Sequence, residues 1–190
     1  MFRIDYDDLV ETGCDANCML TMIPMIGDFV PASAPLFKVQ RNPDRLNAGK
    51  AVSAVAVGPE RTLNQDVPYG FRMLVDIAKR SLSDAFDPTT AVQAIDRLHD
   101  CLRQLAHRPF PSGEYHDGNG TLRLLVSHIS WEGYVRLVFD EIRQICANSA
   151  QFTRRLKAAL EDLLTVAPAD RRAPLERQLE LLDAAVAANE

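Results

Sequence analysis

The chain has no long apolar run, no basic block, and little cysteine or aromatic residue. None of its apolar stretches approaches the roughly 18–20 residues that a membrane-spanning helix needs, so no span is expected within it. Its 190 residues include four cysteines, too few for a disulfide scaffold at this length. Cys14 and Cys18 form a C-x3-C pair, but no second Cys or His pair lies nearby to complete a tetrahedral metal site. Reduced thiols are expected instead. The N-terminus, MFRIDYDD, lacks the charged and apolar regions of a secretory leader, and no signal peptide is expected. Acids outnumber bases 26 to 21. Without a basic stripe, nucleic acid is not an expected partner. G-x-S-x-G, Walker-type and G-x-G-x-x-G motifs are missing. No catalytic residue, metal or cofactor is assigned; a non-enzymatic role is the first expectation, and an enzymatic one stays open as the alternative.

What is present suits a folded domain. Apolar residues make up 47% of the chain and charged ones 25%, with a mean hydropathy of −0.12. A chain of this length buries a core without staples. The pattern changes near residue 60. Before it, Asp5–Glu11 reads as a short helix ended by Gly13, and Cys18–Met25 as an apolar β-compatible run. Gly27-Asp28 marks a turn, with Phe29-Val30 extended after it. Leu36–Gln40 and Ala51–Val57 alternate apolar and polar residues as half-buried strands do. Residues 1–60 are therefore expected to form a small β-rich unit.

From 61 to 190 the period is helical. Phe71, Leu74, Val75, Ala78 and Leu82 line one stripe, together with Val67. Arg72, Asp76 and Arg80 stand four apart, as a surface ladder of ion pairs would. Asp87-Pro88 opens a second helix as cap and first-turn proline. Further helices are expected over about 131–146, 150–166 and 170–188. Between the second and third helices, Gly113–Ser127 contains Asp-Gly and Asn-Gly, the strongest short hairpin signals, so a hairpin is placed near 114–127. The expected fold class is α+β: a small N-terminal β-rich unit, then an antiparallel helical layer with one β-hairpin.

Two stretches invite a chemical reading. His116-Asp-Gly-Asn-Gly120 resembles the D-G-N-G core of the Fic adenylyltransferase loop, but Gly113 stands where that loop needs its His and Thr121 where it needs an Arg. A hairpin turn explains the stretch, and His116, Asp117 and His128 are read as hairpin residues rather than metal ligands. The second stretch, Arg61–Asp66, packs Arg, Thr, Asn, Gln and Asp into a strand-to-helix junction. A helix cap accounts for part of it. So many hydrogen-bonding side chains also suit a polar ligand or a subunit contact.

The runs Glu60–Ser83 and Asp87–Leu98, with Ile4–Leu9, Gly27–Val30, Pro35-Leu36 and Arg108–Pro111, resemble a bacterial family of predicted membrane proteins, domain of unknown function twenty-two fifty-four. The similarity covers roughly residues 2–145. It implies a soluble C-terminal domain attached to the membrane through an N-terminal region outside this chain. The expected reduced thiols and the lack of a secretory signal make the cytoplasm its expected side. It carries over no catalytic residue. The first functional expectation is a regulatory or assembly domain whose partner is its own membrane domain or a homo-oligomer. The alternative is a small-molecule-binding or enzymatic domain with a polar site at the two helix entries, using Arg61, Gln65, Asp66, Arg72, Asp76, Asp87 and Arg97, its ligand unknown.

Overall fold

Thirteen helices and strands follow one another in a computed structural model that describes residues 3–83, 87–146 and 149–188. In chain order they are β1 (Arg3–Ile4), α1 (Tyr6–Ala16), β2 (Met19–Met22), β3 (Phe37–Gln40), α2 (Ala48–Ser53), β4 (Val55–Ala56), α3 (Val67–Ser83), α4 (Pro88–Leu105), β5 (Glu114–His116), β6 (Leu122–Leu125), α5 (Trp131–Cys146), α6 (Ala150–Val166) and α7 (Ala173–Ala187). Single 3-10 turns occupy Pro43–Arg45 and Ala169–Arg171. The fold is α+β. Contacts divide the chain into two compact units: residues 1–69 with 111–128, and residues 70–110 with 129–190.

The first unit is built on a four-stranded sheet ordered β3-β2-β6-β5. β2 pairs antiparallel with β3 and parallel with β6, where Leu20 faces Leu124. The expected hairpin thus exists, as β5 and β6, and it is completed by β2. A separate two-stranded ribbon joins β1 to β4. Leu9, Cys18, Leu20, Leu124 and Val126 are buried at the centre of this unit.

α1 starts where the sequence predicts, with the Asp5 carboxylate accepting from the Asp8 amide. Its end differs. Gly13 does not stop the helix; it is a buried interior residue, and the helix runs to Ala16 and closes on Asn17 in the left-handed region (φ 49°). Gly13 serves close approach instead. A Cβ there would stand 3.3 Å from the Arg123 carbonyl oxygen and 3.4 Å from that of Cys18. A second correction concerns Ala51–Val57. Most of it is helical, in α2, because Asn47 caps the Lys50 amide and closes a first turn. Only Val55 and Ala56 remain extended.

The second unit is helical. Val75, Leu98, Leu102, Phe139, Ile142, Leu156, Leu160, Leu163, Leu175 and Leu182 are all buried in one core. The 3.6-residue spacing of these positions places each on the inward stripe of its helix. Val67, expected on the stripe of α3, is instead 55% exposed, since the buried part of that helix begins at Phe71. Asp87 caps α4 as predicted, accepting from the Thr90 amide and hydroxyl. Ser130 accepts from the Gly133 amide at the start of α5. α4 ends against a side chain: the Arg171 guanidinium donates to the carbonyls of Leu105 (3.0 Å), Ala106 (2.7 Å) and Arg108 (2.8 Å). These are the acceptors a helix C-terminus leaves without partners. The Trp131 indole N–H in turn donates to the Arg171 carbonyl at 2.8 Å.

Packing of this kind makes truncations costly. Leu160→Ala or Leu102→Ala should destabilise the protein by about 2–5 kcal/mol, the usual range for a buried leucine. Val57→Ala, at a half-exposed position, should change stability by less than about 0.5 kcal/mol. Urea unfolding followed by circular dichroism separates the two outcomes.

Candidate functional site

In the first unit, the Arg61–Asp66 junction closes on itself. Asp66 is almost wholly buried. The Arg61 Nε and Nη2 donate to its two carboxylate oxygens at 2.8 and 2.9 Å. That fork-on-fork geometry is the strongest form of a carboxylate pair. Asp66 Oδ1 also accepts from the Tyr69 amide at 3.0 Å, and so caps the first turn of α3. The guanidinium lies 4.8 Å from the Tyr69 ring centroid. Gln65 is spent on β1: its Nε2 donates to the Ile4 carbonyl and its Oε1 accepts from the Ile4 amide. One side chain thereby fills both backbone positions of an edge residue, as a neighbouring strand would.

The Gly27-Asp28 turn covers this pair. Gly27 has φ +90°, and a Cβ there would meet the Arg61 Nη2 at 2.5 Å and the Asp66 Oδ2 at 2.7 Å. Only glycine meets both conditions. The two motifs read separately in the sequence are therefore one contact.

The hairpin loop is closed in the same way. Asp117 Oδ1 accepts from the amides of Asn119 and Thr121, each at 2.9 Å. The amides that would cradle a phosphate are thus already taken by a carboxylate. Asp117 Oδ2 accepts from the Arg123 Nε at 2.8 Å. Arg123 is buried, and its Nη1 reaches the Asn17 side chain at 2.9 Å and the Cys18 carbonyl at 3.4 Å. Sequence reasoning missed Arg123. Its one available signal was a charged residue inside the apolar run TLRLLV. The Arg123 guanidinium and the Thr121 amide hold the Asp117 carboxyl below the usual carboxylate range.

The other expected site residues belong to the second unit. Arg72 pairs with Asp76 four residues on, at 3.4 Å, and both Arg72 and Lys79 bond to Glu141 of α5. Lys79 and Arg72 hold the Glu141 carboxyl low. Arg80 has no ion pair among the described residues, so the expected ladder keeps its Arg72–Asp76 rung only, and a bridge to another helix is added to it. Asp87 is the cap of α4, and Arg97 is exposed on that helix. The structure thus brings Arg61, Gln65 and Asp66 together, and separately Arg72 with Asp76. It joins neither Asp87 nor Arg97 to a partner among the seven.

The same unit holds a histidine network. His99 Nε2 lies 2.8 Å from Asp162 Oδ2, and its Nδ1 lies 3.1 Å from an Arg155 nitrogen. A guanidinium only donates, so Nδ1 accepts and the ring proton on Nε2 points at Asp162. Arg103 also bonds Asp162 and lowers its pKa. Cys14 is exposed, while Cys18 and Cys146 are buried. Burial pushes the Cys146 thiol up to about 12. Among the described residues no group of three or more His, Cys, Asp or Glu could hold a metal ion.

Fold and geometry define a two-unit α+β chain whose polar side chains are engaged mainly in capping helices and tying strands. Its sequence places it more narrowly. The chain belongs to the family described as "Predicted membrane protein (DUF2254)", which matches residues 1–162. Uncharacterized proteins of Mycobacterium bovis and Mycobacterium tuberculosis are each 31% identical to it over 148 residues, covering 74% of this chain and 28% of theirs. The chain thus spans under a third of the length of the curated relatives it matches. No solved structure matches.

The buried pair yields a prediction in two parts. Arg61→Met, which leaves the Asp66 carboxylate without its guanidinium, should cost about 3 kcal/mol. Gly27→Ala should cost roughly 1–3 kcal/mol through strain and contact. Thermal unfolding of each variant checks both. The lowered carboxyls yield another. A carboxyl whose folded pKa lies below its unfolded value stabilises the fold above about pH 4 and loses that contribution as the pH falls through the folded pKa. Asp117, Asp162 and Glu141 are all of this kind. Stability should fall steeply below pH 4, and Asp117→Asn should make that fall shallower in melting curves taken between pH 7 and 2.

Proposed function

We propose that this chain is an extramembrane assembly module of a larger membrane protein, seated against that protein's own membrane-spanning part. The observation that carries the reading is the apolar loop between β2 and β3. Phe29 is 89% exposed, Ile23 52% and Met25 40%. Over residues 23–36 the single ionisable side chain is Asp28, whose Oδ2 accepts from the Met25 amide at 2.8 Å. Ile23, Pro24, Phe29, Val30, Pro31 and Pro35 line an open concavity of about 410 Å³. A contiguous exposed apolar surface of this kind marks a contact face.

The loop is also held in place. The Asp28 amide bonds the Met25 carbonyl, and the Ala34 amide the Pro31 carbonyl. Gly27 rests on the Arg61–Asp66 pair. A preorganised loop loses less entropy on docking than a mobile one.

The comparisons support the choice of partner. The family is one of predicted membrane proteins, and the curated relatives are more than three times as long as the stretch they share with this chain. No helix among the described residues is long and apolar enough to cross a membrane, so in this reading the spans lie in the remaining length. The module faces the cytoplasm, where exposed thiols such as Cys14 stay reduced.

A photo-crosslinking residue at position 29 of the whole membrane protein, irradiated in intact cells, tests this. The expected product is an adduct with a membrane-spanning segment of the same protein, reduced several-fold by Ile23→Asp. Adducts with lipid alone, adducts with position 29's own unit in a second copy, or no adduct would overturn the assignment.

A further inference from the structure

The second unit has a polar concavity that neither the expected site nor the proposed attachment uses. It is lined by one face of α5 (Glu132, Arg136, Asp140, Arg143) and one face of α7 (Arg177, Gln178), with a volume of about 420 Å³. Its character is set by how the charges pair. Asp140 takes all the local compensation: Gln178 Nε2 donates to its Oδ1 at 2.6 Å, Arg136 Nε stands 3.4 Å from its Oδ2, and Arg143 Nη2 is 3.9 Å from Oδ1. Arg177 is left with no counter-ion among the described residues. Glu132 lies eleven positions before Arg143, about 16 Å away along the helix, so it does not neutralise that end.

Among the described residues, two lining side chains carry atoms with nothing to bond. Gln178 is 3% exposed, and its amide orientation is fixed, because the nitrogen must face the Asp140 carboxylate. Its Oε1 therefore stands as a buried acceptor without a donor, and the Arg143 Nε as a buried donor without an acceptor. A bond of this kind left unmade destabilises the fold, because the group has lost its water and gained no partner. Buried polar atoms left open in a folded protein call for a partner; here one is an acceptor and the other a donor.

We infer that the α5–α7 concavity is a binding site for a small oxyanion that also bears a hydroxyl, such as hydrogen phosphate or a hydroxy acid. The anion's oxygens accept from Arg143 and Arg177, and its hydroxyl donates to Gln178 Oε1. Orphan donor, orphan acceptor and uncompensated cation are thereby satisfied by one molecule. The inference does not depend on the attachment proposed above, since the site belongs to the other unit.

The test compares probes that differ by the hydroxyl. The purified chain is titrated at pH 7 with inorganic phosphate against sulfate, and with malate against succinate, by isothermal calorimetry with thermal shift alongside. Phosphate keeps a P–OH at that pH and sulfate does not. Phosphate, malate or both should bind at least threefold tighter than the matching probe without a hydroxyl, and the pair that discriminates identifies the oxyanion. Sulfate is the stringent control, because it stabilises proteins generally by exclusion from their surface. Arg177→Gln, at an exposed position that the core does not need, should weaken binding at least tenfold. Gln178→Leu should abolish the preference for the hydroxyl-bearing probe while leaving sulfate binding unchanged. Equal response to both members of each pair, or binding unaffected by Arg177→Gln, would overturn the site, as would no binding at all.

Discussion

The parallel pairing of β2 with β6 is the constraint on which the first unit depends. Leu20 and Leu124 are completely buried at the centre of that pairing, yet they are separated by more than a hundred residues of chain. A parallel neighbour cannot come from a tight turn. It must be brought back by a long connection, and here the connection includes the helices α3 and α4. The strand that returns carries Arg123, whose guanidinium links Asp117 in the hairpin loop to Asn17 at the end of α1. One buried cation thus ties the hairpin to the helix it packs on. Gly13, on the facing turn of α1, has no side chain to keep Arg123's backbone away.

The Arg61–Asp66 pair has the same logic at smaller scale. A buried ion pair is often worth little net stability against an apolar substitute. What it supplies here is position: it caps α3, stacks on Tyr69 and supports Gly27. The apolar loop beyond Gly27 then has a fixed base. The second unit relies on apolar stripes and on Arg171, which ends α4 by taking three carbonyls and is itself fixed by Trp131.

Legibility in the sequence followed the range of the interactions. α4, α5, α6 and the hairpin were readable because caps, prolines, Asn-Gly turns and 3.6-residue stripes act within a few residues. The end of α1 and the helix α2 were misread for a related reason. Gly13 carries the signal of a helix stop, but the demand on it comes from β6, which no local pattern announces. Ala51–Val57 alternates like a strand, but Asn47 upstream closes a helical turn over its first residues. Among the candidate site residues, the polar density at 61–66 was visible, while its use was not. Gln65 bonds Ile4, and the Arg61–Asp66 pair lies under Gly27, both of which folding alone brings near.

By itself, the sequence determined the α+β class, the helical stripes, the hairpin and the family, since all of these are written in residue types and short spacings. Tertiary structure decided which strand completes the sheet, where Arg123 and Gly13 meet, and that Gly27 covers the Arg61–Asp66 pair. It also decided that Arg143, Arg177 and Gln178 share one concavity. These are contacts between segments far apart along the chain, and spacing along one segment holds no record of what another will bring against it.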